Sequence, residues 1–216
     1  MEIYLIRHTT PAIAKGVCYG QADLDVTESF LHEAAIIQQH LPASITSVYS
    51  SPLQRCKRLA EHLFTDHAIQ WQDDLKEINC GKWELELWDE IPKDEIDPWL
   101  TDHVNVRIPG GESYSDVFER VTGCFKKIIK LHTTHDHKTI WPDAGDSLPR
   151  AVIVAHGGVI RSILSYITQT PLADSFTVFS FHYGCVIKIV HVNGNLTHEV
   201  LSNIAQEKET HKPSGI

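Results

Sequence analysis

The stretch Ile3-Tyr4-Leu5-Ile6-Arg7-His8 joins a short apolar run to two polar residues that can carry positive charge. A continuous apolar run of this length is typical of a strand that is buried on both faces of a parallel sheet. In open parallel sheets, ligands bind just beyond the carboxyl ends of the strands, which is where Arg7 and His8 follow. The stretch therefore predicts a buried parallel strand with functional side chains at its carboxyl end.

Strand and helix patterns alternate in the chain that follows. Apolar residues recur at helical spacing in residues 27–41, and Pro42 ends the pattern. A second short strand is predicted for residues 47–50 and a third for residues 151–155. Both are followed by helical patterns, and the later helix opens with Gly157-Gly158. This order predicts repeated strand-helix units, as parallel sheets require.

Two further signals complete the predicted fold. Ser113-Tyr114-Ser115-Asp116 has the form of a capping box, and an amphipathic helix pattern follows it to Ile129. Asn193-Gly194 is typical of a hairpin turn, here between strand patterns in residues 186–192 and 196–204. The sequence therefore predicts an α/β fold, a three-layer αβα sandwich around a mostly parallel central sheet.

We expect one domain over residues 1–205, because 216 residues with 42% hydrophobic content can build one sizeable core. Residues 75–111 are rich in Trp, Pro and acidic groups and lack periodicity, which predicts insertions that cap the site. Residues 132–149 are polar and are predicted to form a mobile connection, and residues 206–216 a polar C-terminal tail. The tryptophans of the capping segment have two open interpretations, a stacking surface for an aromatic substrate or the anchors of a small lid.

The charge of the chain argues against two classes of partner. The 19 Lys and Arg residues against 28 Asp and Glu residues give a formal net charge of -9, which repels nucleic acid and anionic lipid. Residues 1–6 lack the basic head and long apolar stretch of a signal peptide, and no run reaches the roughly 18 apolar residues of a membrane span. We therefore expect a cytoplasmic protein that binds neither nucleic acid nor a membrane.

No residue pattern indicates a resident metal or an organic cofactor. The five cysteines are spread along the chain without a C-x-x-C pair, which predicts reduced and mostly buried thiols. His132, His135 and His137 form a cluster that could catch zinc or nickel adventitiously. A mobile, polar stretch does not supply the closed shell of a chelating site. We therefore predict no metal and no cofactor.

The residues at the predicted strand ends suit chemistry at phosphorus. A phosphate monoester dianion repels anionic nucleophiles, so attack on it needs cationic groups on its oxygens and a neutral, basic nucleophile. The imidazole of His8 meets the second need, and Arg7 places a guanidinium beside it. Arg55 follows the second strand near a helix N-terminus, and His156 heads the third junction, where the free amide of Gly157 adds a donor.

Four motifs follow one another along the chain: Leu5-Ile6-Arg7-His8, Ser50-Ser51-Pro52-Leu53-Gln54-Arg55, Leu75-Lys76-Glu77 with Gly81-Lys82-Trp83-Glu84, and Ala155-His156-Gly157-Gly158-Val159-Ile160-Arg161. Together they resemble the motifs of the histidine phosphatase, or phosphoglycerate-mutase-like, superfamily, and they span residues 3 to about 165. The resemblance implies the phosphoglycerate mutase-like fold. It also implies a metal-independent phosphomonoesterase that forms a phosphohistidine and acts on a small phosphorylated metabolite.

The resemblance further implies a role for each site residue. His8 takes the phosphoryl group, and Glu77 protonates the leaving oxygen. The phosphate oxygens are held by Arg7, Arg55 and His156. Water then hydrolyses the phosphohistidine, so the scheme combines nucleophilic catalysis with general acid-base catalysis.

The chain departs from the family pattern directly after His8. Many members continue with Gly and then Glu or Gln and carry an Asn several residues later, whereas this chain has Thr9, Thr10 and Pro11. The difference disfavours a mutase. The hydroxyl of Thr9 is predicted to bind phosphate, although a side chain now stands where glycine would let the backbone approach.

A second segment points to one branch of the superfamily. Cys18-Tyr19-Gly20-Gln21-Ala22-Asp23 resembles the Gly-Gln-x-Asp segment of the alpha-ribazole phosphatase branch, and Pro109-Gly110-Gly111-Glu112-Ser113 resembles a substrate-side loop of the superfamily. This branch implies alpha-ribazole 5'-phosphate, an intermediate of cobalamin nucleotide-loop assembly, as the substrate. Gly20 and Gln21 are then substrate contacts, and an ordinary turn at these residues is the alternative.

Other functions stay open on the sequence alone. They are a phosphoglycerate mutase, a phosphatase for sugar phosphates, nucleotides or phosphoproteins, and a catalytically silent module that binds a phosphorylated ligand. The presence of both histidines, both arginines and the acid argues against the silent module. Two residues also have open interpretations: Glu84 is the alternative acid to Glu77, and Arg161 is interpreted as part of a structural ion pair.

Overall fold

The computed structural model describes residues 1–133 and 148–205, and six strands form one sheet within them. The strands are β1 (Glu2–Arg7), β2 (Ser47–Ser50), β3 (Ile69–Trp71), β4 (Arg150–Ala155), β5 (Val186–Val192) and β6 (Asn195–Ser202). Their order across the sheet is β3-β2-β4-β1-β5-β6. The first four strands are parallel, and β5 and β6 extend the sheet as an antiparallel hairpin beside β1. The predicted mostly parallel central sheet is confirmed.

Helices cover both faces of this sheet. They are α1 (Phe30–Gln38), α2 (Gln54–Leu63), α3 (Lys93–Thr101), α4 (Tyr114–Thr133), α5 (Gly157–Thr168) and the short α6 (Ser175–Val178). Ile3 and Leu5 of β1 pack in one apolar cluster with α4 and α5, whereas Tyr4 and Ile6 pack in a second cluster with α1 and α2. Successive side chains of a strand point to opposite faces, so one apolar run supplies two cores. The predicted three-layer fold is confirmed.

The two turn and cap signals of the sequence hold in the structure. The backbone N–H of Ser113 donates to Oδ2 of Asp116 over 2.7 Å, and the N–H of Asp116 donates to Oγ of Ser113 over 3.3 Å, so the capping box closes the start of α4. Between β5 and β6, Asn193 and Gly194 have φ values of 50° and 82°. Both lie in the left-handed region that a two-residue hairpin turn requires.

Several elements differ from the sequence prediction. Helix α1 begins at Phe30 and not at residue 27, and β3 was missed because it is only three residues long. Helix α4 continues through His132 and Thr133, which the sequence assigned to the mobile connection. His132 is buried there, and this burial stabilises the last turn of the helix. Residues 134–147 of that connection and the tail of residues 206–216 lie outside the described residues.

Residues 75–111 form a small apolar cluster together with Cys18. Single turns of 3-10 helix and α3 make up much of the segment, and the buried members of the cluster are Cys18, Cys80, Trp83, Ile91, Ile96 and Ile108. The indole N–H of Trp83 donates to Oε2 of Glu95 over 3.0 Å. Trp83 is therefore an anchor of this segment, which is one of the two roles expected of its tryptophans. No helix in the described parts of the chain is long and apolar enough to cross a bilayer.

Candidate active site

Three neighbouring strands end at one place and bring their following residues together. The N–H of His8, after β1, donates to the carbonyl of Ala155 over 3.0 Å, and the N–H of Ser51, after β2, donates to the carbonyl of Val154 over 3.0 Å. His156 follows β4, which lies between these two strands. The imidazole rings of His8 and His156 are 5.1 Å apart between centroids. The parallel sheet therefore unites residues that are far apart in sequence.

The hydrogen bonds of His8 define its tautomer. Its Nδ1 lies 2.7 Å from the carbonyl oxygen of Thr9, which can only accept, so Nδ1 carries the proton. Its Nε2 accepts from Nε of Arg55 over 3.3 Å, so Nε2 carries a lone pair. Burial, together with the charges of Arg55 and Arg7, holds the pKa of His8 well below its usual range. His8 is thus a neutral imidazole whose basic nitrogen faces a guanidinium.

The two arginines of the site are held in different ways. Arg55 is fully buried, and its Nη1 and Nη2 donate to the carbonyls of Ala22 and Gly20 over 2.9 and 2.6 Å. Arg7 donates through Nη1 to the carbonyl of Phe181, and its Cζ lies 4.0 Å from the ring centre of Tyr183. Both guanidinium groups are therefore held by backbone carbonyls, which places their charges at the site before an anion binds.

His156 is also neutral and fully buried. Its Nε2 lies 2.8 Å from Oγ of Ser51 and 3.5 Å from Sγ of Cys56. Burial and the charge of Arg55 hold the pKa of His156 well below its usual range. Burial raises the pKa of Cys56 to about 12, so this thiol is not a nucleophile at neutral pH.

Glu77 approaches the site from the capping segment. Its Oε1 accepts from the N–H of Ile78 and its Oε2 from the N–H of Gly158, both over 3.0 Å. Helix α5 begins at Gly157, so the amide of Gly158 belongs to the first turn, where backbone donors have no partner within the helix. The carboxyl group of Glu77 is thus tied to the same helix that follows His156.

A cavity of about 210 Å³ opens beside these groups. Arg7, His8 and Glu77 border it, while Arg55 and His156 lie outside its wall and contact His8. The rest of the wall is largely aromatic and includes Tyr19, Trp88, Trp99, Tyr114, Phe176 and Tyr183. Trp88 and Trp99 stack on each other with their ring centres 5.8 Å apart, so they line the cavity as one aromatic pair.

Four other residues were predicted to contact the substrate, and they lie close to the site: Thr9, Gly20, Gln21 and Gly157. Thr9 is fully buried, and its Oγ1 has no hydrogen-bond partner in the described structure. Gln21 donates from Nε2 to the carbonyl of Glu77 over 3.0 Å, and Gly20 contacts Arg55 through its carbonyl. A Cβ atom at Gly157 would lie 3.5 Å from Nε of Arg7. None of these four residues borders the cavity in its present shape.

The structure also places the two residues whose roles the sequence left open. Glu84, the alternative acid, does not border the cavity, and its carboxylate accepts four backbone N–H groups of the surrounding loops. Arg161 does border the cavity, where its Nε donates to the carbonyl of Phe179 over 3.1 Å and its Cζ lies 4.8 Å from the ring centre of Phe176. Arg161 therefore adds a third arginine to the neighbourhood of the site.

Tyr183 is a site residue that the sequence analysis missed. Its ring centre lies 5.4 Å from that of His8, and its hydroxyl is 2.6 Å from the hydroxyl of Tyr19. One signal could have found it. An antiparallel neighbour of β1 begins at the edge where β1 ends, and Tyr183 lies three residues before the start of β5 at Val186.

Of the three histidines that the sequence groups together, His132 is the one that the structure describes. Its Nε2 lies 2.9 Å from Oγ of Ser47 and 3.2 Å from the hydroxyl of Tyr49, inside the core. His135 and His137 lie outside the described residues. Within residues 1–133 and 148–205, no group of three His, Cys, Asp or Glu side chains is placed to hold a metal ion.

Known proteins resemble this chain in sequence and in structure. The family described as Histidine phosphatase superfamily (branch 1) matches residues 3–204. A metal-independent phosphoserine phosphatase of Arabidopsis thaliana is 31% identical over 183 residues, which cover 80% of this chain and 71% of that protein. The alpha-ribazole phosphatase of Shigella flexneri has a similar structure, with a TM-score of 0.76 at 22% identity over 96% of this chain and 100% of that one. A phosphoserine phosphatase variant of Entamoeba histolytica in complex with phosphoserine gives a TM-score of 0.73 at 18% identity over 94% and 95% of the two chains.

Proposed function

The chain belongs to the histidine phosphatase superfamily, branch 1, and is an enzyme of that family; from this premise we propose that it hydrolyses a phosphate monoester through a phosphorylated His8. One observation carries the proposal. The Nε2 atom of His8 has a lone pair and lies 3.3 Å from a guanidinium nitrogen of Arg55, beside a cavity that Arg7 also borders. A neutral nitrogen nucleophile among fixed cations is what attack on a phosphate dianion requires.

The first step transfers the phosphoryl group to the enzyme. The lone pair of His8 Nε2 forms a bond to phosphorus while the bond from phosphorus to the ester oxygen breaks. The leaving oxygen takes a proton from Glu77, so an alcohol departs and Glu77 becomes a carboxylate. Arg55 must turn its Nε from His8 to a phosphate oxygen as the bond forms, because the lone pair that it contacts is then used.

The second step returns the enzyme to its starting state. Glu77 takes a proton from water as the water oxygen attacks phosphorus, and the bond from phosphorus to His8 breaks. Inorganic phosphate leaves, and the electron pair of the broken bond returns to Nε2 of His8 as its lone pair. Once Arg55 has turned, the phosphate oxygens are bound by Arg7, Arg55 and His156, and the buried hydroxyl of Thr9 and the amide of Gly157 supply further donors.

For the substrate we propose alpha-ribazole 5'-phosphate. The aromatic wall supports this choice, because stacked Trp88 and Trp99 offer a flat surface to a benzimidazole base. The similar structure of the Shigella flexneri alpha-ribazole phosphatase is in keeping with it. The free thiols of all five cysteines are consistent with a cytoplasmic enzyme of this kind.

A second candidate substrate is a phosphomonoester that carries a carboxylate, such as phosphoserine. Arg161 favours it, because its permanent charge lies in the cavity wall on the side of Phe176 and can pair with a carboxylate of the leaving group. The Arabidopsis thaliana relative is named for this substrate. A contact of this kind discriminates between substrates by a factor of about 10 or more.

A panel of phosphomonoesters tests both candidates. We expect hydrolysis of p-nitrophenyl phosphate, and kcat/KM highest for alpha-ribazole 5'-phosphate. Phosphoserine and phosphoethanolamine form a matched pair that differs in the carboxylate, and a strong preference for phosphoserine selects the second candidate. No turnover of any ester indicates a silent binding module, and isomerisation of phosphoglycerate in the presence of bisphosphoglycerate indicates a mutase.

A further inference from the structure

We propose that Glu84 is a positioning residue of this site, which acts through the backbone of residues 20–22 to hold Arg55 against His8. Glu84 lies in the capping segment and does not border the cavity. It reaches the site through two layers of hydrogen bonds, each of which the structure describes. The inference rests on the proposed function, because the reaction gives Arg55 its importance.

The first layer joins Glu84 to the loop. Its Oε1 accepts from the backbone N–H of Gln21 over 2.7 Å and from that of Cys80 over 3.0 Å. Its Oε2 accepts from the N–H groups of Gly20 and Ala22, both over 3.0 Å. Three successive amides therefore converge on one carboxylate. Hydrogen bonds to an ionised acceptor are stronger than neutral ones, so Glu84 fixes the loop's amide side.

The second layer joins the loop to Arg55. The carbonyls of Gly20 and Ala22 accept from Nη2 and Nη1 of Arg55 over 2.6 and 2.9 Å. The remaining nitrogen, Nε, donates to Nε2 of His8. Each of the three guanidinium nitrogens thus has a protein acceptor, and two of the three belong to the loop that Glu84 holds. The position of the loop therefore sets the plane of the guanidinium.

The loop of residues 20–22 is closely packed, so it has a single position while it is bound to the carboxylate of Glu84. A Cβ atom at Gly20 would lie 1.8 Å from the carbonyl oxygen of Ile78, so the loop backbone packs directly on the segment that carries Glu77. Gln21 adds a bond to the carbonyl of Glu77 itself. If Glu84 loses its charge, the amides seek other acceptors, and the carbonyls that hold Arg55 move with them.

The reaction makes this arrangement useful. When His8 attacks, Nε of Arg55 leaves the imidazole for a phosphate oxygen, while Nη1 and Nη2 keep their carbonyl partners. The guanidinium then needs only a small rotation about the two hydrogen bonds that it keeps. An error of about 1 Å in such a group can cost on the order of 100-fold in rate.

A double-mutant cycle with Arg55 tests the proposal. We expect Glu84→Gln to lower kcat/KM for p-nitrophenyl phosphate about 30-fold in the natural chain. In the Arg55→Gln background, the same substitution should lower it less than about 3-fold, since the residue through which Glu84 acts is gone. Equal losses in the two backgrounds would overturn the proposal.

The matched control is Glu86→Gln, which removes the same charge two residues along from an exposed side chain. It should leave kcat/KM within about 2-fold. A second readout separates positioning from a general loss of structure. Because Arg55 helps to lower the pKa of His8, a displaced Arg55 should move the acid limb of the pH profile towards neutral pH in Glu84→Gln. An unmoved acid limb contradicts the proposal.

Two further experiments apply if the variant does not fold or if the natural chain has no activity. If Glu84→Gln does not fold by circular dichroism, the same cycle is run with Glu84→Asp, which keeps the charge but is shorter by one methylene. If the natural chain hydrolyses no ester, the proposed function fails, and the cycle is measured on the Kd of orthovanadate. Non-additive losses of vanadate affinity then support Glu84, and additive losses reject it.

Discussion

The amide of Gly158 and the carboxyl group of Glu77 are in direct contact, and the contact depends on the absence of a side chain. The N–H of Gly158 donates to Oε2 of Glu77 over 3.0 Å, and a Cβ atom at position 158 would lie 2.3 Å from Oε1. The first turn of α5 therefore both binds the proposed acid and leaves room for it. The glycine is required here for close approach.

Substitution of this glycine tests the placement of the acid. We expect Gly158→Ala to displace Glu77 and to lower kcat/KM for an alkyl phosphate about 100-fold, because the proton donor no longer reaches the leaving oxygen. The matched control is Gly123→Ala in α4, where an added Cβ meets nothing within 4 Å. It should keep full activity and raise the free energy of unfolding by about 1 kcal/mol. Full activity of Gly158→Ala would contradict the assignment.

The proton transfer itself can be tested through the leaving group. Glu77→Gln keeps the shape of the side chain and removes its proton, so poor leaving groups should suffer most. We expect a loss of kcat of about 100-fold or more for an alkyl phosphate and of about 10-fold or less for p-nitrophenyl phosphate. Steady-state rates on both esters give the comparison. Equal losses on the two would assign Glu77 a binding role in place of an acid role.

The covalent intermediate can be trapped. In the natural chain, acid-sensitive and base-stable label from a radioactive phosphoester should appear on the protein during turnover, as expected for phosphohistidine. His8→Ala should carry no label and lose at least about 1000-fold in kcat, because the nucleophile is gone. The exposed His198 offers a control, since His198→Ala should change neither result. Label on the His8→Ala protein would place the nucleophile elsewhere.

The sequence predicted the parts of this site that local patterns determine, and it missed those that depend on contacts between residues far apart in the chain. Three of the motifs lie at strand ends, and short apolar runs locate strand ends well, so the meeting of Arg7, His8, Arg55 and His156 followed from local patterns. Glu77 lies in the capping segment, and only the family resemblance indicated it. Tyr183 did not follow from local patterns, because only the antiparallel pairing of β5 with β1 brings it to His8. Local polarity likewise assigned His132 to a connection, although partners 83 and 85 residues earlier hold it in the core.

The two buried histidines make stability depend on pH. The pKa of His8 and that of His156 are both lowered well below 6.5, so below that pH the unfolded chain binds protons that the folded chain does not. Stability should therefore fall as the pH falls below 6.5, by up to about 1.4 kcal/mol per pH unit for each histidine.

Urea unfolding at about pH 7 and about pH 5.5 measures this slope. His8→Gln removes one of the two titrating groups, so its stability should decline less steeply with acid. An equally steep decline in this variant would show that His8 does not contribute.

Removal of metal ions provides a further test. The proposed steps use only protein side chains and water, so phosphate release should continue at its full rate after dialysis against EDTA. Readdition of Mg²⁺ or Zn²⁺ should not raise the rate. A loss with EDTA that Zn²⁺ restores would require a metal in the mechanism.

The place of β1 in the sheet has a consequence for how the enzyme is made. This strand is synthesised before the other five strands of the sheet, yet its neighbours β4 and β5 begin at residues 150 and 186. Contacts that span such long stretches of chain form slowly. His8 is thus synthesised well before the strands β4 and β5 that lie beside β1. Catalytic activity should therefore appear late in folding and in a single step. Its recovery during refolding reports on completion of the whole sheet.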